Sequence, residues 1–267
     1  MDLGLGGAAV VINGGSKGMG RAAAEVMAAE GARIAVLARG VANLADTASA
    51  LRGLGSPEVL DISTDLTDSA QVDAAFAAIG ERWGEINVLV NAAGPVGVGR
   101  FDKLDESEWH AAFDVGTLSA VRCARAALPW LRRAAWARIV NVSAHSVRRQ
   151  SSGLVAYTAA KAALTSFSKN LSLTLAPDGI LVNTISPGSF LSEGLKGYLQ
   201  ALPPDRRPDP GDLHAAMRII AEDFGHPAHL GRAALPAEIG PVIAFVGSRA
   251  NTYMTGADLN VDGGSDF

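Results

Sequence analysis

The sequence predicts an α/β protein built on a doubly wound parallel sheet of about seven strands, with helices on both faces and a helical lid. Short apolar runs such as 8–12 (AAVVI) and Arg33–Ala38 (RIAVLA) have the length and β-branched content of strands buried on both faces. Helical stretches alternate with these runs along the chain, which is the pattern of right-handed βαβ units.

Composition narrows the class of protein. The chain has 267 residues, 48% of them hydrophobic, and a net charge of -4, so we expect one domain over 1–267 and no nucleic-acid partner. The N-terminus lacks the positive region of a signal peptide, and no apolar run reaches the ~18 residues of a membrane span. The single Cys123 excludes an internal disulfide and a cysteine metal cluster, which favours a reducing cytoplasm.

A glycine-rich segment follows the first predicted strand. Residues 13–20 (NGGSKGMG) lead into an alanine-rich helix that ends at Gly31. A strand, a glycine-rich turn and a helix N-terminus together present backbone N–H groups that bind phosphate. The spacing is GxxxGxG, and the alternative is a tight turn without a ligand. The predicted dinucleotide contacts are Gly14, Ser16, Lys17, Gly18, Met19 and Gly20.

The end of the second strand indicates which dinucleotide binds. A carboxylate there would bind the adenosine ribose 2′-OH and repel a 2′-phosphate. Here Ala38 and Arg39 occupy that end, and Lys17 lies in the glycine-rich segment. Two cations and no acid favour NADP(H). NAD(H) is the alternative if Arg39 and Lys17 are only solvated surface cations.

Two further strand ends supply candidate contacts. Asp65 and Leu66 follow the third strand, where a carboxylate can accept a hydrogen bond from the adenine amino group. Small side chains at 91–94 (NAAG), after the fourth strand, let a flat ring lie against the backbone. The contacts predicted here are Asp65, Leu66, Asn91, Ala92, Ala93 and Gly94. The other predicted elements are helices at 43–54, 68–83 and 236–247 and strands at 58–62, 86–90, 181–185 and 258–261.

Tyr157 and Lys161 form the candidate acid/base pair. They lie four residues apart in an alanine-rich helical run, so the two side chains share one face, one turn apart. A phenol titrates near ~10 in water, and an adjacent ammonium favours the phenolate, which lowers the pKa toward the range of a general acid or base. Taken alone, the same spacing also fits an ordinary surface tyrosine and lysine.

Several of these segments occur in one order along the chain: 14–20, Asp65 with Leu66, 91–94, Tyr157 with Lys161, and Pro187 with Gly188. Together with the ending 255–264 (TGADLNVDGG), they resemble the short-chain dehydrogenase/reductase family over essentially the whole chain. The resemblance implies a Rossmann-type fold and hydride transfer between nicotinamide and a carbonyl or secondary alcohol. Five ordered motifs also argue against a chance surface pair at Tyr157 and Lys161.

The resemblance implies a role for each matching residue. Tyr157 would pass a proton to or from the substrate oxygen, while Lys161 would lower its pKa and hydrogen-bond the nicotinamide ribose. Pro187, Gly188 and Ser192, the last at the family's threonine position, would hold the nicotinamide carboxamide and the pyrophosphate. The positive charge of oxidised nicotinamide would lower the tyrosine pKa further.

Two positions depart from the family's pattern. The family's serine, which hydrogen-bonds the substrate oxygen, lies thirteen residues before the tyrosine, and position 144 is alanine. Ser143 is a weak candidate to replace it, because adjacent side chains of an extended segment point to opposite faces. Ser146, His145 and water are the other candidates. Gly116 replaces the family's helix asparagine; it supplies no amide, and we expect it to mark a kink or close packing.

These departures leave three functions open. We expect an active NADP(H)-dependent oxidoreductase, because Tyr157 and Lys161 are both present. One alternative is a slow enzyme, since a lost oxyanion-type donor can cost 10²–10³ in rate, about 3–4 kcal/mol. The other is a dinucleotide-binding protein without turnover that acts as a sensor or assembly partner.

Residues 189–235 interrupt the alternation of strands and helices. Helices predicted at 192–202 and 213–224 flank a breaker-rich stretch, and the family places its substrate lid here. Apolar residues that line a pocket or form the buried faces of these helices are Phe190, Leu191, Leu195, Leu199, Met217 and Ile220. Arginines that bind an acidic substrate or are simply solvated are Arg148, Arg149, Arg206, Arg207 and Arg218. The spacing of His226 and His229 indicates no metal site.

The resemblance also implies which substrate and which protein partners to expect. We expect a small-molecule carbonyl or alcohol substrate, no membrane partner, and a homotetramer or homodimer. The family's interfaces lie along the seventh strand, 258–261, and the long helices around 105–133 and 153–176. Apolar residues that serve such an interface or pack inward are Leu128, Trp130, Leu131, Leu164, Phe167 and Leu171.

Overall fold

The computed structural model describes residues 2–94 and 99–265, and its centre is one seven-stranded sheet. The strand order is β3-β2-β1-β4-β5-β6-β7, and every neighbouring pair is parallel. The predicted fold class, a doubly wound Rossmann-type sheet, is therefore confirmed. The strands are β1 Ala9–Asn13, β2 Arg33–Ala38, β3 Val59–Ser63, β4 Val88–Asn91, β5 Ala137–Val142, β6 Ile180–Pro187 and β7 Asp258–Val261.

Helices cover both faces of the sheet and bury a core on each. In β1, Val10 and Ile12 point to one core, and Ala9 and Val11 point to the other, because successive side chains of a strand alternate. The helices on the Val10 face are α1 Gly18–Ala29, α2 Val41–Gly53 and α9 Pro236–Val246. Those on the opposite face are α3 Ser69–Trp83, α5 Ser119–Leu131 and α6 Val155–Leu175.

Most predicted strand bounds lie within one residue of the observed ones, and two bounds differ by two residues. β4 begins at Val88 and not at 86, because the Ile86 N–H donates to the Trp130 carbonyl (3.2 Å) at the end of α5. β6 continues to Pro187, two residues beyond its predicted end, where it pairs with Val261 of β7. The extension places Pro187 at the carboxyl ends of the strands, where open α/β sheets bind ligands.

The expected kink at Gly116 takes the form of a π-helical turn. Helix α4 (Glu106–Phe113) continues through a π-helical turn, Asp114–Leu118, directly into α5, and Gly116 is buried at the centre of that turn. Thr117 fixes the turn to α6 by donating its hydroxyl to the Ala160 carbonyl (2.6 Å). Insertions of this kind are frequent at functional sites.

A chain of buried amide side chains crosses the sheet at the carboxyl ends of β1, β4 and β5. Asn13 Nδ2 donates to Asn91 Oδ1, Asn91 Nδ2 donates to Asn141 Oδ1 (2.6 Å), and Asn141 Nδ2 donates to Ser168 Oγ (2.7 Å) on α6. All four residues are buried. Each amide satisfies its neighbour where water has no access, which is the condition for burying polar groups without a large cost.

The segment 189–235, here named the lid after its predicted role, contains two helices joined by side-chain contacts. Helix α7 (Glu193–Ala201) and helix α8 (Leu213–Phe224) lie close to the predicted positions. Tyr198 Oη of α7 donates to Asp223 Oδ2 of α8 (2.6 Å), and Arg206 Nη2 donates to Asp223 Oδ1 (2.8 Å).

The apolar residues singled out on the two long helices pack inward. Leu131 and Leu164 are buried, and the partly buried Leu128, Trp130, Phe167 and Leu171 pack against the core on the α3 side of the sheet.

Within the ranges 2–94 and 99–265, none of the helices has the length and apolar character needed to cross a bilayer. In the same ranges, no group of three or more His, Cys, Asp or Glu side chains is arranged to hold a metal ion.

We expect Asn91→Leu to destabilise the fold by about 2–4 kcal/mol. The substitution leaves the Asn13 donor and the Asn141 acceptor buried without partners, and each unsatisfied buried group costs about 1–3 kcal/mol. Thermal and urea unfolding would measure the loss, with Asn170→Leu as the control, because Asn170 is exposed and bonds only within its own helix. Equal stability of the two variants would contradict the structural role assigned to the amide chain.

Candidate active site

Two adjoining cavities lie at the carboxyl ends of the strands. The Tyr157 cavity, of about 450 Å³, is bounded by Tyr157, Lys161 and the lid. The Arg39 cavity, of about 530 Å³, lies over the ends of β2 and β3. Lys17, Ala92 and Gly94 line both, so the two cavities share a wall.

The N-terminus of α1 opens onto the Tyr157 cavity. Gly18, Met19 and Gly20 line it, and the N-cap residue Lys17 has an extended backbone. No side chain caps this helix, and its first turn contains no acidic residue. The free N–H groups of the first turn are therefore available to an anion, which the helix dipole also favours.

Only glycine fits the turn that leads into α1. Gly14 has a φ of 68°, and an added Cβ would lie 2.6 Å from the Ala93 nitrogen. A Cβ on Gly20 would lie 2.5 Å from the Gly14 carbonyl oxygen. Ser16, between them, is buried in the wall of the Arg39 cavity, and its carbonyl accepts from Thr47 Oγ1 (3.1 Å).

The wall shared by the two cavities is positioned by the amide chain. Asn13 Oδ1 accepts from the backbone N–H groups of Ala92 (3.1 Å) and Ala93 (3.3 Å). Asn91, the middle member of the chain, precedes them, and Gly94 follows with open space where a Cβ would lie. The sequence brings four small or amide residues to this point, and the structure gives the wall a flat, side-chain-poor surface.

The Arg39 cavity combines free cations with one fixed carboxylate. Arg39 and Lys17 are exposed, and neither has an ion-pair partner within 4 Å among the described residues. Asp65 Oδ1 accepts from the Thr67 N–H (3.0 Å) and hydroxyl (2.8 Å), and these bonds, with the charge of Arg39, hold the pKa of Asp65 below its usual value. Leu66 is buried beside it, and its carbonyl accepts from Arg122 Nη1 (3.2 Å).

Pro187, Gly188 and Ser192 line the Tyr157 cavity on the lid side. An added Cβ on Gly188 would lie 2.6 Å from the Asp262 Cα, so the chain after β7 requires glycine there. Ser192 is the N-cap of α7, and its hydroxyl accepts from the Leu195 N–H (3.5 Å). The structure thus brings all three predicted residues to the same cavity as Tyr157.

Burial shifts the pKa values of Tyr157 and Lys161 in opposite directions. Lys161 is 2% exposed, its ammonium donates to the Val142 carbonyl (2.7 Å), and burial lowers its pKa to about 8. The same cause raises the pKa of Tyr157 to about 12. The lowering of the Tyr157 pKa by Lys161 that the sequence predicts is therefore not found, because burial raises this pKa instead. No hydrogen bond joins the two side chains, and burial, which disfavours the phenolate, is the cause of the raised Tyr157 pKa.

Ser143 lies in the cavity wall, but its hydroxyl is already used. Its oxygen lies 3.1 Å from the Lys161 carbonyl oxygen and 2.7 Å from Thr165 Oγ1, so its one proton is donated to α6. Ala144, the next residue, lines the cavity and presents only a methyl group. The alternation that made Ser143 a weak candidate therefore holds in the structure, with Thr165 as the partner that sequence reasoning missed.

A short 3₁₀ turn, His145–Val147, follows Ala144 and brings two polar residues to the cavity. His145 Nδ1 lies 3.1 Å from the Pro187 carbonyl oxygen, which fixes the turn against β6. Ser146 lines the same cavity, and its Oγ accepts from Thr158 Oγ1 (3.0 Å). His226 packs edge to face on His145 with ring centroids 4.6 Å apart, and burial lowers the pKa of His226.

The remaining cavity wall is mostly apolar. Of the six apolar lid residues singled out, Phe190, Leu195 and Ile220 line the cavity, whereas Leu191, Leu199 and Met217 are buried in the lid. Sequence reasoning missed other wall residues, namely Leu154, Tyr198 and Phe224. Tyr198 and Phe224 face each other across the two lid helices (centroids 5.1 Å), and their spacing from Leu195 and Ile220 within α7 and α8 is the sequence signal that could have revealed them.

The five arginines proposed to bind an acidic substrate lie outside the Tyr157 cavity and the Arg39 cavity. Arg206 bonds Asp223, Arg207 donates to the Leu202 carbonyl (3.0 Å), Arg148 lies 3.6 Å from Asp258, Arg149 donates to the Ser265 carbonyl (3.1 Å), and Arg218 is exposed. None of them is among the residues that line either cavity. Most of them therefore serve to hold the lid and the C-terminal segment in place.

We expect Lys161→Met to raise the thermal stability near pH 7. The pKa of about 8 lies below the ordinary 10.5, so at pH 7 the buried ammonium opposes folding by about 3 kcal/mol. This penalty disappears as the pH rises from about 8 to 10.5, because only the unfolded chain then keeps the proton. Melting temperatures from pH 6.5 to 9.5 would test this, with exposed Lys169→Met as the control. A gain that grows toward pH 9.5 would contradict the assigned shift.

Comparison with known proteins agrees with this geometry. The family model described as short chain dehydrogenase matches residues 8–201. Short-chain reductase protein NovJ of Streptomyces niveus is 31% identical over 95% of this chain and 92% of its own length. The 3-oxoacyl-[acyl-carrier-protein] reductase FabG of Escherichia coli strain K12 is 30% identical over 97% of each chain.

A solved structure extends the similarity to three dimensions. L-Sorbose reductase from Gluconobacter frateurii, described as complexed with NADPH and L-sorbose, superposes with a TM-score of 0.91 at 30% identity. The match covers 100% of this chain and 99% of that one. The sequence motifs, the parallel sheet and these relatives lead to one conclusion: the chain belongs to the short-chain dehydrogenase family of oxidoreductases.

Proposed function

We propose that the protein is an NADP(H)-dependent oxidoreductase that interconverts a neutral carbonyl compound and its secondary alcohol, with Tyr157 as the acid/base. The observation that carries the proposal is the placement of Tyr157 and Lys161 in one cavity with the uncapped N-terminus of α1. A proton donor, a cation and an anion-binding helix end then surround a single site. The proposal treats 1–267 as one domain with its lid at 189–235.

The chain offers a site that fits a dinucleotide. The Gly14 turn and the uncapped start of α1 would hold the pyrophosphate, Asp65 and Leu66 the adenine, and the wall 91–94 the flat rings. When bound, the nicotinamide would supply or accept the hydride. The proposed contacts are Gly14, Ser16, Lys17, Gly18, Met19, Gly20, Arg39, Asp65, Leu66, Asn91, Ala92, Ala93, Gly94, Tyr157, Lys161, Pro187, Gly188 and Ser192.

The preference for a 2′-phosphate rests on Arg39 and Lys17. Both cations are exposed at the Arg39 cavity, and neither is neutralised by an ion pair among the described residues. A phosphate there would gain charge-assisted hydrogen bonds that a 2′-hydroxyl cannot offer. The NADPH complex of the related L-sorbose reductase supports the same choice.

Tyr157 and Lys161 have complementary roles in the proposed reaction. With a pKa of about 12, Tyr157 holds its proton at neutral pH and can donate it to the oxygen of a carbonyl as that carbonyl is reduced. In the oxidation direction it must act as a base, and a cation bound beside it would lower its pKa. Oxidised nicotinamide would be such a cation, and Lys161, still protonated at pH 7 with a pKa of about 8, offers a donor for a ribose hydroxyl.

The cavity indicates a neutral substrate with an apolar body. Leu154, Ile220 and Phe224 form part of its wall, and its described charged residues are Lys17, Lys161 and Glu193. Lys17 and Lys161 belong to the proposed cofactor contacts, and the arginines that could bind a carboxylate lie outside the cavity. An anionic substrate would therefore lose its hydration without gaining a partner cation.

The competing proposal is a dinucleotide-binding protein without turnover, acting as a sensor or assembly partner. Ala144 and Gly116, which replace two residues of the family's pattern, are the observations that favour it. The intact placement of Tyr157 and Lys161 favours the enzyme.

The homotetramer or homodimer and the cytoplasmic location stay predictions. Leu118 and Leu173 are exposed apolar residues on the two long helices where the subunit interface is predicted.

A substrate screen would separate the two functions. We expect NADPH oxidation with neutral apolar ketones, at least about tenfold weaker activity on matched keto acids, and loss of about 10²–10⁴ in rate in Tyr157→Phe. Phe113→Tyr, a conservative change outside the cavity, serves as the control variant. Turnover that survives in Tyr157→Phe would refute the assigned acid/base, and NADPH binding without turnover of any ketone would favour the sensor.

Arg39→Ala should weaken NADPH binding about 10- to 100-fold and leave NADH binding nearly unchanged. The expected loss corresponds to one charge-assisted contact to a phosphate, about 1.5–3 kcal/mol. Fluorescence titration of both dinucleotides would measure it, with Arg125→Ala as a matched exposed arginine outside both cavities. Equal loss of NADH affinity, or tighter binding of NADH than NADPH by the wild type, would contradict the assignment of Arg39.

A further inference from the structure

The site lacks a donor for the substrate oxygen at the position where the family has serine. Ala144 occupies that position, and the proton of the neighbouring Ser143 is already donated to α6. A reacting carbonyl that meets only Tyr157 would develop charge on its oxygen with a single hydrogen bond. We propose that Ser146 supplies the second hydrogen bond, an inference that rests on the proposed oxidoreductase function.

Ser146 lies in the cavity wall near Ala144, on the same cavity as Tyr157. It lies two residues beyond Ala144, in the turn His145–Val147, and lines the same cavity as Tyr157. Two contacts hold the turn: the Val147 N–H donates to the Ala144 carbonyl (3.2 Å), and the His145 ring contacts the Pro187 carbonyl oxygen (3.1 Å). The residue is 1% exposed, so its hydroxyl is held by the protein and is not competing with bulk water.

Hydrogen bonding leaves the Ser146 proton free to donate. Thr158 Oγ1 donates to Ser146 Oγ (3.0 Å), which occupies one acceptor site of the serine oxygen. Among the described residues, no acceptor receives the Ser146 hydroxyl hydrogen, whereas the Ser143 hydrogen has two candidate acceptors. A hydroxyl that accepts one bond becomes a better donor in the next.

Thr158 also couples the donor to the acid. It follows Tyr157 directly on α6, so the helix that presents the phenol also orients Ser146. In the proposed reduction, hydride adds to the carbonyl carbon, the π electrons move to the oxygen, and that oxygen takes its proton from Tyr157. Ser146 keeps its own proton throughout and stabilises the developing negative charge by hydrogen bonding.

Other polar groups at this wall are less suited. The Nδ1 of His145 already contacts Pro187, and its ring packs against His226. His226 Nε2 is buried without a hydrogen-bond partner among the described residues, and its atom surface is closed to solvent. The two imidazoles are thus held against each other and against Pro187, whereas Ser146 has a hydroxyl hydrogen to donate.

The kinetic test compares three serines on one ketone from the screen. We expect Ser146→Ala to lower kcat about 10²- to 10³-fold and exposed Ser166→Ala to leave it unchanged. Adding Ala144→Ser to Ser146→Ala should restore the rate to within about tenfold of wild type, because the donor then returns at the family's position. A large loss in Ser143→Ala with none in Ser146→Ala would overturn the proposal in favour of Ser143.

A structural readout tests Ser146 without turnover. Crystals of the NADPH complex soaked with dimethyl sulfoxide should place the sulfoxide oxygen within about 2.6–3.2 Å of both Ser146 Oγ and Tyr157 Oη. A sulfoxide oxygen held by Tyr157 and by water, His145 or Ser143 would overturn the assignment of Ser146. If Tyr157→Phe keeps full activity while the sulfoxide still bonds Ser146, the proposed acid/base fails and the Ser146 contact stands.

Discussion

The amide chain from Asn13 through Asn91 and Asn141 to Ser168 is the constraint that fixes the site. It joins the carboxyl ends of three strands to α6, the helix that carries Tyr157 and Lys161. The same chain holds the N–H groups of Ala92 and Ala93, so the wall between the cavities and helix α6 share one support. A fully satisfied buried network of this kind specifies one arrangement, because any displaced member would leave buried groups unpaired.

That rigid frame keeps an ionisable pair in an environment that opposes its charge. The Lys161 ammonium donates to the Val142 carbonyl and burial lowers its pKa, while burial favours the neutral form of the Tyr157 phenol. Folding therefore works against the charged states that the proposed chemistry uses. Such local instability is characteristic of active sites, which exchange stability for a poised group.

The sheet was predictable from the sequence because β-branched runs and glycine turns encode it locally. Gly14 and Gly188, two of the proposed cofactor contacts, were also marked by sequence motifs, and the structure leaves no room for a side chain at either position. The direction of the Tyr157 pKa shift was not predictable, because it depends on burial by segments that are distant in sequence, such as helix α8 with Phe224. The bond from Thr158 to Ser146 depends on how a 3₁₀ turn meets α6, and no local pattern records that contact.

The bond between Tyr198 and Asp223 has a consequence for how the lid discriminates by size. Tyr198 is part of the cavity wall, and its hydroxyl is anchored to the opposite lid helix, which Arg206 also holds. A bulky ligand that displaces the Tyr198 ring must therefore shift α8 or break that anchor. We therefore expect the distance between α7 and α8, more than the identity of any one wall residue, to limit the width of a bound ligand.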